Sequence, residues 1–173
     1  TLRALFGRDD AVTLVPSAVG RTSGNATMMI NLDNPTISTL SKDFVAASRD
    51  AAGWEGQAWP QSREVPVTTL DALIGEHGVP SFIKLDIEGF EAEALSGLSQ
   101  PIAALSFEFT TIQRPVALTA LARCVALGYT RFNTALGKVR GWASGRVPPR
   151  SRTGSRRCRM KQTPGTSMQG ASR

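Results

Sequence analysis

The residues whose types and spacing could do chemistry are three carboxylates, Asp86, Glu88 and Glu108. The first two sit in Phe82 to Glu93, FIKLDIEGFEAE, where six strand-like residues end in an acidic pair, a glycine follows and a helix begins with more acid. A carboxylate held at the mouth of an α/β site can take a proton from a hydroxyl as its oxygen attacks. Lys84 shares a strand face with Asp86, so a mutual ion pair that makes the charge tolerable is the structural alternative. Glu88, Glu91 and Glu93 can also serve simply to favour a helix amino terminus. His77, the single histidine, falls at the carboxyl end of another helix, where its charge suits the dipole. No Ser/His/Asp or Cys/His arrangement can be assembled around it. G-x-G-x-x-G and P-loop signals are missing, and nothing has metal-ligand spacing.

The elements that must position these groups follow from pattern. Residues 1–8 read as the last turns of a helix, with Leu2, Leu5 and Phe6 on one side. Ala11–Val19 reads as a strand interrupted by Pro16, Ala26–Leu32 as another, and pairing of the two as a hairpin is plausible. From Asp33 to Glu64 no period holds, which reads as a long loop. Its Trp54 and Trp59 could stack on a flat ligand face or pin the loop to the core. Val65–Val67 resumes the strand pattern, and a helix follows with a Thr68/Asp71 capping pattern, a Leu70, Leu73, Ile74 stripe and a stop at Gly78 and Pro80. Next comes a βαβ unit: strand Phe82–Ile87, a helix lined by Phe90, Ala94, Leu95 and Leu98, and strand Ile102–Phe109. One short crossover helix makes these strands parallel. Pro115 opens a last helix, with Leu118, Leu121, Ala122 and Val125 at helical spacing, and Tyr129–Asn133 reads as a strand. In such a sheet ligands bind beyond the carboxyl ends of the strands, where Asp86, Glu88 and Glu108 fall.

At this point a family can be named. The string VPVTTLDALIGEHGVPSFIKLDIEGFEAEALSGL, 65–98, resembles the core signature of the FkbM-type methyltransferases, S-adenosylmethionine-dependent enzymes of the class I Rossmann-like fold. SAVG at 17–20, Ser38-Thr39-Leu40, SFEF and GYTRFN extend the resemblance over Val12 to Gly137. It implies an α/β Rossmann-like sheet and methylation of a hydroxyl on a sugar or natural product, so the partner is a small-molecule or glycan acceptor. Asp86 and Glu88 would be the catalytic pair, and Ser17, Ala18 and Val19 would lie beside the adenine of S-adenosyl-L-methionine. Ser38, Thr39, Trp54, Trp59 and Glu108 are assigned to the acceptor. The family's glycine-rich loop and ribose-binding acid would precede residue 1, which makes 1–137 a partial domain and this chain an impaired form.

Composition adds bounds. At 173 residues and 41% hydrophobic content the chain suits one globular domain, without an apolar run long enough to span a bilayer. The net charge of +6 averages two halves, −7 over residues 1–108 and +13 over 109–173. From Lys138 onward there is no Leu, Ile, Phe or Tyr, so 138–173 reads as a disordered basic tail. Nucleic-acid or acidic-surface binding through that Arg-rich tail is the alternative function, disfavoured because aromatic residues do not alternate with the charge, Trp142 standing alone among it. CRMKQTPGTSMQGAS, 158–172, can be encoded by DNA that, read two bases later, gives PDEANSGDVYARRQ, close to a string that ends many family members. A frameshift near residue 137 is therefore expected. Cys124 and Cys158 lie far apart in sequence without ligand spacing and read as idle thiols in a reducing cytoplasm.

Overall fold

A computed structural model describes residues 2–136 and 157–162. Helix α1, Leu2–Phe6, forms as expected, but Leu2 and Leu5 stay exposed, so its apolar side covers nothing. Two sheets follow. In the smaller, β1 (Ala18–Val19), β2 (Gly24–Ile30) and β3 (Gln61–Thr68) run in the order β1-β3-β2. β2 pairs antiparallel with β3 from Gly24↔Val67 to Ile30↔Gln61, and β1 pairs parallel with it at Val67 and Thr68. The expected hairpin between the first two strand runs is thus replaced: β3, distant in sequence, lies between them. The expected strand Ala11–Val19 shrinks to two residues, immediately beyond Pro16 and its missing N–H.

The segment expected to be a long loop is also structured. It holds a 3-10 turn at Pro35–Ile37, helix α2 at Lys42–Ser48, and the first residues of β3. Ser41 caps α2, its Oγ accepting from the Phe44 N–H at 3.1 Å. Phe44, Ile37 and Trp54 make a small second core, with Trp54 and Trp59 edge-on to the Phe44 ring at 5.1 and 6.0 Å. A helix of two turns is too short to display a period, which is why the pattern gave no sign of it.

Helix α3, Leu70–His77, starts one residue later than the expected capping box. Thr69, not Thr68, is the cap, its Oγ1 accepting from the Ala72 N–H, while the Asp71 carboxylate accepts from the Ser99 N–H. Gly78, at φ 86°, ends the helix and donates to the Ile74 carbonyl.

The larger sheet carries the main core. β4 (Ile83–Leu85), β5 (Ala104–Phe109), β6 (Arg131–Leu136) and β7 (Arg157–Gln162) run in the order β4-β5-β7-β6, every pair parallel. α4 (Glu91–Ser96) and α5 (Arg114–Ala126) pack on each other and on β5. Leu95, Leu98, Ile102, Leu105 and Phe107 are almost completely enclosed. Arg123 reaches from α5 to the end of α4, donating to the Leu95 and Leu98 carbonyls at 3.3 and 2.6 Å. α5 is rotated from the face its apolar residues suggested. Ala120 and Cys124 face the core, and Leu118 and Val125 are exposed, because small residues let the helix sit close to the sheet.

The expectation of a tail wholly without structure needs correction at Arg157–Gln162, which forms β7 between β5 and β6, with Cys158 buried against Cys124 at a sulfur separation of 3.5 Å. The strand contributes backbone pairing, the buried Cys158 and the partly buried Met160 packed on the main core, so a run without Leu, Ile or Phe can still occupy that slot. The remainder of 138–173, and the expected frameshift point, lie outside the described residues, as does most of the Arg-rich stretch invoked for nucleic-acid binding.

Candidate active site

Parallel register builds the site. Ile83, Lys84 and Leu85 pair with Leu105, Ser106 and Phe107, so the next residues on the two strands, Asp86 and Glu108, arrive together at the carboxyl ends. Alternation puts Lys84 on the same face as Asp86. Its ammonium is bonded to the Asp86 carboxylate and lies 3.5 Å from Glu108 Oε1. Those two carboxylates, the nearer one foremost, raise the Lys84 pKa. The expected Lys84–Asp86 pair therefore forms, and it includes Glu108. Asp86 remains open to solvent on 44% of its side chain, whereas Glu108 is 11% exposed.

After Asp86 the chain turns sharply. Glu88 is the one described non-glycine residue with a left-handed backbone, φ 49°, and Gly89 follows at φ 84°. A Cβ on Gly89 would meet Gln113 Oε1 at 2.0 Å and Phe44 Cβ at 3.1 Å, so glycine is required there by both conformation and space. The turn presses Glu88 inward. Burial first, then the charges of Asp86, Glu91 and Glu108, push its carboxyl up to about 7. Glu91, buried at the start of α4, is raised chiefly by burial and accepts weakly from the Gly89 N–H at 3.3 Å. Glu93 is elsewhere: a bidentate pair with Arg21 holds it at 3.0 and 3.1 Å and lowers its pKa.

Asp86, Glu88, Gly89, Glu91, Glu108, Phe109 and Thr110 line a small cleft open to solvent. Gly89, Phe109 and Thr110 were not singled out by sequence, and Glu91 only as an acid favouring a helix amino terminus; for Thr110 the signal was available, since it continues the two-residue alternation from Glu108.

The other candidate residues are placed unevenly. Thr39, almost fully buried, donates its hydroxyl to the Glu88 carbonyl at 2.7 Å and so ties the smaller sheet to the turn. Ser38 accepts from the Asn31 N–H at 3.3 Å, one step removed. Trp54 is 4% exposed in the second core, and Trp59 donates its ring N–H to the Ile37 carbonyl at 2.9 Å. Ser17, just before β1, and Ala18 and Val19 on it are half-buried, Val19 against the main core. Among the described residues no group of His, Cys, Asp and Glu side chains is placed to hold a metal ion, and no helix is long and apolar enough to cross a membrane.

A parallel sheet with acid at its carboxyl ends and helices packed on it is a Rossmann-like α/β fold. A family model for the methyltransferase FkbM domain matches residues 7–122, and the chain belongs to that family of methyltransferases. The match stops short of GYTRFN. No curated protein and no solved structure matches the chain.

Proposed function

We propose that the cleft is where a hydroxyl of a small-molecule or glycan acceptor is methylated with S-adenosyl-L-methionine as donor. The observation that carries this reading is the convergence of Asp86, Glu88 and Glu108 at the carboxyl ends of β4 and β5. S-adenosylmethionine, when bound, supplies a methyl group on a positively charged sulfonium. An acidic cleft suits a cation such as the sulfonium end, and the adenosyl part is left to other surfaces, for which Ser17, Ala18 and Val19 remain the candidates. Asp86, the most accessible of the three acids, is the proposed base. Lys84 fixes its orientation, so that the acceptor oxygen is held in line as its proton leaves. Glu88, poised near 7, exchanges that proton with solvent. Ser38, Thr39, Trp54 and Trp59 act on the acceptor through the loop they anchor rather than by direct stacking in the case of the enclosed Trp54.

The test is transfer of radiolabelled methyl from S-adenosylmethionine to a panel of hydroxylated acceptors. Asp86→Asn is expected to lower the rate about 100-fold or more while unfolding normally in urea. Unchanged transfer by that variant refutes the assignment. If the cofactor does not bind at all, a catalytically silent member of the family is the better description.

A further inference from the structure

We propose that Thr39 is a positioning residue for Glu88, its hydroxyl clamping the left-handed turn so that the Glu88 carboxyl stays inside the cleft instead of swinging out to water. The inference rests on the reading of Glu88 as the group that exchanges the proton.

A left-handed glutamate persists only where its surroundings over-determine it. Glu88, at φ 49°, is held in two ways. One is the packing of Gln113 and Phe44 against Gly89. The other is Thr39, whose Oγ1 donates to the Glu88 carbonyl at 2.7 Å. That hydroxyl is itself oriented. It accepts from the Ser41 N–H at 2.9 Å, and since an N–H can only donate, the hydroxyl's own hydrogen is directed to Glu88. The Thr39 backbone is fixed as well, exchanging hydrogen bonds with Met29 of β2 at 2.8 and 2.9 Å. At 2% exposed, the residue is sheltered from water that would compete for these bonds. The smaller sheet thus sets the backbone at the mouth of the larger one, through a contact between residues 49 positions apart.

What the clamp does to the carboxyl follows from its surroundings. The charged groups acting on Glu88 are Lys84 and Asp86 from β4 and its carboxyl end, Glu91 from α4 and Glu108 from β5, and burial outweighs each of them. A carboxylate formed there gains by turning outward to water. Thr39 and Phe44, which meet the turn from the other side, carry no charge to draw it in. Holding the peptide after Glu88 therefore keeps the proton on the carboxyl to a higher pH than a loose turn would. One hydrogen bond contributes a factor of about 10, so the clamp accounts for about one pH unit.

The experiment uses the whole chain and reads ionisation directly, so it does not depend on turnover. The Glu88 side-chain carboxyl is followed across pH by carbon-detected NMR, its signal identified by its loss in Glu88→Gln. In Thr39→Val it is expected to titrate about one pH unit lower than in wild type, whereas Thr39→Ser, which keeps the hydroxyl, should match wild type. Lower stability with an unchanged titration would make Thr39 merely structural and overturn the proposal. So would a shift to higher pH, or a Thr39→Ser variant that titrates like Thr39→Val. If the valine variant does not fold, Thr39→Cys, a weaker donor of similar size, is expected to shift in the same direction, and no shift overturns the proposal. Labelled-methyl transfer separates the two claims. A titration that moves in a chain without any transfer refutes the methyl-transfer reading alone. With transfer present, its pH profile should move with the titration in Thr39→Val, and a profile that stays in place refutes this inference alone.

Discussion

Glu88 is where backbone and charge constraints meet. A left-handed glutamate costs conformational energy that glycine would avoid, and its carboxyl is crowded by three other acids. The folded chain keeps the Glu88 proton up to about pH 7, whereas an unperturbed glutamate releases it near 4.5. Between those values the native state binds the extra proton, so stability is lost as pH rises through the window. Glu88→Gln removes that loss. We expect the variant to gain on wild type from about pH 4.5 to about 7 and then hold a constant lead, on the order of 2 kcal/mol once partial exposure is allowed for. Urea midpoints measured across pH check this, and parallel curves would contradict it. The carboxylates themselves were legible in the sequence because strand ends are legible. The conformation of Glu88 was not, since nothing in its identity asks for a positive φ.

At the scale of elements, close approach explains what pattern did not. Gly97, at the end of α4, has an ordinary φ of −85°, but a Cβ there would lie 2.3 Å from the Gly20 carbonyl oxygen and 3.2 Å from Thr69. The joint between α4, the residue after β1 and the cap of α3 therefore closes on a bare backbone. Gly97→Ala is expected to destabilise the chain by about 1 to 3 kcal/mol, read as a lower urea midpoint with the same slope. The βαβ unit was readable because its helix and strands each carry a clean stripe and short turns join them. The cap at Thr69 was misplaced by one residue because two threonines stand side by side. The buried face of α5 was misjudged because hydrophobicity was weighed above size: Ala120 and Cys124 fit against the sheet where Leu118 and Val125 do not.

At the scale of the whole molecule, the described residues form two sheets whose order no local pattern contains. β3 enters between strands that precede it, and β7 enters between strands that precede it as well. β5 and β6 are not paired with each other; β7 holds them in one layer. Ending the chain at Leu136 is therefore expected to free β6, while β5 keeps its pairing with β4. Amide hydrogens of β6 should then exchange at close to unfolded rates while those of β2 and β3 keep their protection, as hydrogen-exchange NMR would report. Charge argued against any ordered strand after Lys138, and it did so because composition measures what a segment can bury by itself. A strand inserted between two others needs mainly its backbone and the few apolar side chains it turns to the core, here Cys158 and Met160. The long-range contact that places it, Cys158 on Cys124, joins residues 34 positions apart.

That sulfur pair is also a chemical ruler. At 3.5 Å the two thiols are separate, but bond formation needs them only about 1.5 Å closer. A disulfide reagent such as oxidised glutathione, by exchange, would join α5 to β7 and leave with the two hydrogens. Peptide mapping after such treatment should recover the two cysteines in one cross-linked fragment, and Cys158→Ser should abolish it. Recovery of only mixed disulfides with the reagent would mean that the strand at Arg157–Gln162 does not occupy its slot in solution.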